Sequence, residues 1–171
     1  MKKVNISGFL LIMLFSMASC KKDLLQTVKQ EPQISTVTLS APTLVLTSAT
    51  ANSEVQTISW AASDYGYKAA INYEVELAAA GTNFADPLKV NMGIGRSIKY
   101  IGSALNDIAI GMGIAPGTSG TLDVRVKSSL SDAVYDYSSP VTMNITTYVV
   151  EFPALLVRGG NGWSTPATRT N

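Results

Sequence analysis

Alternation of apolar and polar residues runs through most of this chain and confines it to half-buried β-strands. The clearest run is "INYEVEL": Ile71, Tyr73, Val75 and Leu77 fall on one face, and Asn72, Glu74 and Glu76 on the other. Successive strand side chains point to opposite faces, so such a segment buries one face and wets the other. "TLDVRV" repeats the pattern, with Leu122, Val124 and Val126 set against Asp123, Arg125 and Lys127. "LKVNM" does so through Leu88, Val90 and Met92, and "VTMNIT" through Val141, Met143 and Ile145. In "VQTISW", Ile58 and Trp60 lie opposite Thr57 and Ser59. "STVTLSAPTLVLT" reads as two short strands broken at Pro42, with Leu44 and Leu46 on one face.

One stretch breaks this rhythm. "SALNDIAIGM" places Leu105, Ile108, Ala109 and Met112 at helical spacing, with Ser103 able to cap the start and Gly111, Gly113 and Pro116 the end. A short helix crossing between two sheets is expected there. About seven short strands with turn signals between them predict an all-β fold, an immunoglobulin- or fibronectin-like antiparallel β-sandwich over residues 35–148. The hydrophobic share, 46% of 171 residues, suffices for its core. There is no Cys…Trp…Cys pattern, and Trp60 is the expected core tryptophan.

The two ends follow other rules. Lys2 and Lys3 precede the apolar run "FLLIMLF", and Ala18 and Ser19 stand directly before Cys20, the single cysteine. That is the layout of a secretory signal over residues 1–19, and the run is too short to span a bilayer. An ordinary signal peptide with a coincidental cysteine fits the same layout. Residues 20–34 are polar and include Pro32, as expected of a tether. At the other end, residues 149–171 read as a linker through Pro153 and the start of a second domain at "ALLVRGGNGW". A lone strand cannot bury its apolar face, so a truncated second domain is expected.

Composition narrows the function. The net charge is +1, and loss of Lys2 and Lys3 would leave eleven basic against twelve acidic residues. Near-neutral charge argues against nucleic acid as a partner, because phosphate binding needs a basic face. The absence of histidine removes the commonest general base and neutral metal ligand. One cysteine permits neither an intrachain disulfide nor a thiolate cluster. No cofactor, metal site or catalytic residue is expected. "GIGRS" and "GGNGW" lack phosphate-loop spacing and read as turns.

"MASC" resembles the bacterial lipobox, with Met17 in place of the usual leucine. The resemblance implies that Cys20 becomes the first mature residue and carries lipid. Taken with "SCKKD", "ISWAASDYGYKAAINYEVELAAAGTNFADPLKV", "LNDIAIGMGI", "GTLDVRVKSSL" and "YSSPVTMNITTY", the chain resembles the SusE family over nearly its whole length. These are outer-membrane lipoproteins encoded with Bacteroidetes glycan-uptake systems. The resemblance implies a non-enzymatic, lipid-anchored protein, facing the cell surface, that aids capture of starch or a related polysaccharide for a SusC/SusD-type importer. It also implies that the immunoglobulin-like domain is a spacer and that glycan contacts belong to later domains. A structural or adhesive module is the alternative.

Aromatic side chains are the natural carbohydrate platform, since sugar C–H faces stack on rings. Tyr65 and Tyr67 in "SDYGYK" and Tyr135 and Tyr137 in "DAVYDYSS" are expected in loops at one end of the sandwich, with Asp64 and Asp136 as hydrogen-bond acceptors. The same tyrosines would serve equally to cover that end. Trp163, after its Gly-rich turn, is either a stacking residue or a core anchor of the second domain.

Overall fold

The computed structural model describes residues 32–66 and 68–151, which fall into two compact units. The small unit contains Gln33 and the segment 64–69. There Gln33 and Asp64 form an isolated antiparallel bridge, with N–O distances of 3.0 and 2.8 Å. Gly66 turns the chain at φ +91° and donates its N–H to Asp64 Oδ1 at 2.8 Å.

The large unit is an all-β sandwich with one helix. Its strands are β1 (Val37–Leu39), β2 (Thr43–Val45), β3 (Glu54–Trp60), β4 (Asn72–Ala79), β5 (Leu88–Gly93), β6 (Ser97–Ile101), β7 (Ser119–Ser131), β8 (Val134–Tyr137) and β9 (Val141–Thr146). The helix α1, Gly102–Gly111, crosses from β6 to β7. A small sheet runs β1-β3-β6, and a large one β2-β9-β7-β4-β5, with β8 also on β7. Val37, Ile58, Trp60 and Tyr100 of the small sheet pack with Tyr73, Val75, Leu77, Leu122, Val124, Val126, Met143 and Ile145 of the large one. Trp60 is the core tryptophan and meets the Tyr73 ring at 5.9 Å.

Two strands lie outside the seven expected from alternation. β6 is "SIKYI", whose Ile98 and Tyr100 share a face and pair against β3. β8 occupies part of the expected Tyr135–Tyr137 loop, so these tyrosines sit on a strand and not in a loop. β8 and β9 are successive pieces along one edge of β7. Pro140 has no N–H to donate there, and Ser138 bridges the break. Its N–H donates to Val126 O at 2.9 Å, and its Oγ accepts from Val126 N at 2.9 Å.

The sandwich is also not wholly antiparallel, because β2 pairs parallel to β9. β1 and β2 are one path broken at Pro42, and the break carries the chain from the small sheet to the large one. Gln56, 1% exposed, holds the corner. Its Oε1 accepts from Ala41 N at 2.9 Å and Ser40 Oγ at 2.7 Å, and its Nε2 donates to Ala41 O at 2.7 Å. Backbone groups that leave a ladder in the interior must be paired, and this amide pairs both groups of Ala41.

α1 buries Leu105 and Ala109, with Ile108 and Met112 packed at its flank, as their spacing predicts. Its start differs from expectation, since Ser103 makes no side-chain cap. The helix abuts a 3-10 turn at Ser48–Thr50, and the turn's backbone takes over the capping. Gly102 N donates to Ser53 O at 3.0 Å and Ser103 N to Ala51 O at 2.8 Å. That approach leaves no room at Gly102, where a Cβ would press on the Thr50 carbonyl. Gly102→Ala is therefore expected to lower stability by about 1–3 kcal/mol, as overpacked sites do. Urea denaturation measures it, and an unchanged midpoint would contradict the close approach.

Candidate functional site

The outward face of the large sheet collects the charged and aromatic residues of β4, β7 and β8. Registration places Glu76 beside Arg125 and Lys89, Glu74 beside Lys127, Lys127 beside Tyr137 and Ser129 beside Tyr135. Arg125 Nε donates to Glu76 Oε2 at 2.7 Å, and Lys89 Nζ lies 3.5 Å from Glu76 Oε1. Glu76 faces outward as its alternation predicts, yet its side chain is only 1% exposed. The Arg125 guanidinium is the lid. Its Cζ stands 4.1 Å from the Phe84 ring centroid and 3.9 Å from that of Tyr137, a cation held between two rings. The row continues through Tyr135, which meets Tyr137 edge-on at 5.8 Å and 80°, with Lys127 Nζ 4.3 Å from its centroid.

Phe84 reaches Arg125 through strained backbone. Asn83 and Phe84, between β4 and β5, adopt φ of +52° and +56°. A left-handed conformation is rare for a bulky residue and costs on the order of 1–3 kcal/mol. The surrounding loop is tied down where Gly81 N donates to Asp123 Oδ2 at 3.3 Å and Thr82 Oγ1 to Ala79 O at 2.8 Å. Packing of the ring on the guanidinium offsets the strain.

Tyr135 and Tyr137 are thus brought together, and Tyr135 is 48% exposed. Tyr65 departs from the expected platform. It belongs to the small unit and is 2% exposed, so its ring offers no open face to a sugar. Tyr67, Cys20 and Trp163 lie outside the described residues. The two expected acceptors bond locally: Asp64 Oδ1 accepts from Gly66 N in its turn, and Asp136 Oδ1 on β8 accepts from Tyr137 N, both at 2.8 Å. Glu76, Arg125 and Phe84 were not singled out by the sequence reading. The available signal was a Glu and an Arg at outward positions of neighbouring strands, which becomes a pair only once the strand order is known.

Elsewhere, two groups are displaced from their ordinary ionisation. The Glu54 carboxyl is held below the usual value, first by the hydrogen bond from Lys99 and then by Thr57. A lowered carboxyl stabilises the fold above the unfolded value and loses that contribution as pH falls through the folded one. Burial raises the Tyr100 hydroxyl, which has no hydrogen-bond partner among the described residues. Among the described residues no group of three or more His, Cys, Asp or Glu is placed to hold a metal ion. No described helix is long and apolar enough to cross a membrane.

The model of the SusE outer membrane protein family matches residues 22–127, more than half of the chain. The chain belongs to the SusE outer membrane protein family. That membership places it at the outer membrane and in the setting of polysaccharide utilisation. No curated protein matches the chain. Among solved structures it is similar to a computationally redesigned β-sandwich protein at 14% identity. The match covers 72% of this chain and 95% of that one, with a TM-score of 0.37.

The clamp on Arg125 yields a double-mutant test. Arg125→Met leaves Glu76 with Lys89 alone and is expected to cost about 2 kcal/mol, the worth of a hydrogen bond between charged groups. Glu76→Leu combined with Arg125→Met removes both charges and is expected to recover most of that loss. Urea midpoints of the single and double variants check this; additive losses would show that the pair is not coupled.

Proposed function

We propose that this chain is a non-enzymatic, lipid-anchored component of an outer-membrane glycan-utilisation system that aids capture of starch or a related polysaccharide. The sandwich serves mainly as a spacer between the membrane and glycan-binding parts beyond it, beside a SusC/SusD-type importer at the cell surface. The match to the SusE family over residues 22–127 carries the reading.

The chain's departure from the sandwich supports a spacer role. Buried Asn106 on α1 grips Tyr148 twice, accepting from its N–H at 2.8 Å and donating Nδ2 to its carbonyl at 3.3 Å. Thr147 Oγ1 donates to Ala115 O at 2.8 Å, and Thr147 N donates to Thr118 O at 3.0 Å. A segment fixed at both of these residues leaves the sandwich from one set point, as a spacer needs. The adhesive alternative draws on exposed apolar side chains, Ile94 at 74% and Val45 at 69%.

Lipidation at Cys20 is tested in cells by Cys20→Ala. Loss of the protein from the outer-membrane fraction, together with loss of palmitate labelling, is expected. Retention of both would overturn the anchor. Affinity electrophoresis in starch gels, using the longest natural form of the protein, tests glycan capture; free migration there would favour the adhesive reading.

A further inference from the structure

β5 is the last strand of the large sheet, and among the described residues it pairs only with β4. Its other edge has no partner strand, and an open edge is a template for one. Lysine on an edge commonly blocks such pairing. Here Lys89 Nζ is drawn to 3.5 Å from Glu76 on β4, away from the free edge.

The two ends of β5 are complementary to each other. At its start a groove of about 480 Å³ opens between β5 and α1. Leu88, Ile108 and Met112 give the groove apolar walls, and Asp86 and Asp107 stand in it with no basic side chain among its described lining. Neither carboxylate has a hydrogen bond or ion pair among the described residues. At the other end, the turn into β6 carries Ile94, 74% exposed. That turn is fixed, because Gly95 N donates to Met92 O at 2.9 Å and Gly93 N to Asn91 Oδ1 at 2.8 Å. Two residues beyond Ile94, Arg96 is exposed, and its guanidinium has no partner among the described residues. One end of the strand therefore bears an apolar knob and a free cation. The other bears an apolar groove and two free carboxylates.

We infer that this edge binds a second copy of the chain, β5 against β5, antiparallel about a two-fold axis. Opposite residues of paired strands share a face, so the axis passes through a residue that meets its own copy. With the axis at Val90, Ile94 comes opposite Asp86 of the second copy. With the axis at Asn91, it comes opposite Leu88. Both registers lay the turn of each copy along the mouth of the other's groove. Ile94 then covers the apolar wall, and Arg96 meets Asp86 and Asp107. The two-fold axis repeats the contact, so one strand pairing brings two knob-and-groove contacts with it. Neither register sets Lys89 against its own copy. The pairing is independent of glycan capture and of the anchor at Cys20.

Photo-crosslinking in intact cells tests it, with two differently tagged copies of the full chain expressed together. p-Benzoylphenylalanine at position 94 is expected to join the two tags, with the crosslinks mapping to residues 86–88 or 107–112. The same probe at exposed Thr38, on β1 of the small sheet, is expected to join none. Arg96→Glu is expected to lower the yield at least about tenfold, because it sets like charges together. Adding Asp86→Arg and Asp107→Arg to the same chain is expected to restore it, which a merely misfolded variant could not show. Crosslinks only to other proteins, crosslinks to the second copy outside these segments, or equal yield from position 38 would overturn the pairing. So would an unchanged yield in Arg96→Glu, or no recovery on charge reversal.

Discussion

Gln56 is a polar side chain in the interior of a sandwich, and the layering of the fold turns on it. β1 must leave the small sheet and β2 must join the large one within a few residues. That corner strips Ala41 of ladder partners, and a buried unpaired peptide group costs on the order of 1–3 kcal/mol. Gln56 answers both the N–H and the carbonyl of Ala41 with one amide. With the corner secured, β2 can lie along β9 and close the edge of the large sheet while β1 covers β3. An apolar residue at position 56 would suit the alternation of β3 and would leave the corner unpaired.

The outward face of the large sheet resolves a similar conflict with charge. Glu76 occupies a solvent-side position and is nevertheless desolvated beneath Arg125, which is itself held between Phe84 and Tyr137. A buried carboxylate is tolerable only when paired, and here two cations from the neighbouring strands supply the pairing. The same guanidinium that neutralises Glu76 orients two rings. Charge, ring packing and loop strain are therefore one assembly, and Tyr135 at its margin inherits a fixed orientation.

Much of the fold was legible in the residues. "INYEVEL", "TLDVRV" and "VTMNIT" declare their buried faces by alternation alone, and Leu105, Ile108 and Ala109 declare the helix by spacing. β6 and β8 were less legible because a four- or five-residue strand gives little periodic signal, and β8 contains the charged, exposed Asp136. The helix cap was misread at Ser103, since a distant backbone turn supplied what the local side chain did not. The tyrosines of the candidate site were legible as residue types but not as a group. Tyr135 and Tyr137 meet on one strand, whereas Tyr65 belongs to the small unit and its ring is buried.

The residues alone settle which side chains of the strands turn inward, where the described α-helix falls, and the family to which the chain belongs. These are local properties: a period of two, a period near 3.6, and the order of short motifs along the chain. The pairing of strands and side chains emerges only from the folded chain. That β2 runs parallel to β9, that Gln56 serves Ala41, and that Arg125 stands between Phe84 and Tyr137 above Glu76 all depend on segments far apart in sequence. Alternation records which face of a strand is buried, and it is silent on which strand lies alongside, because many pairings bury the same apolar faces equally well.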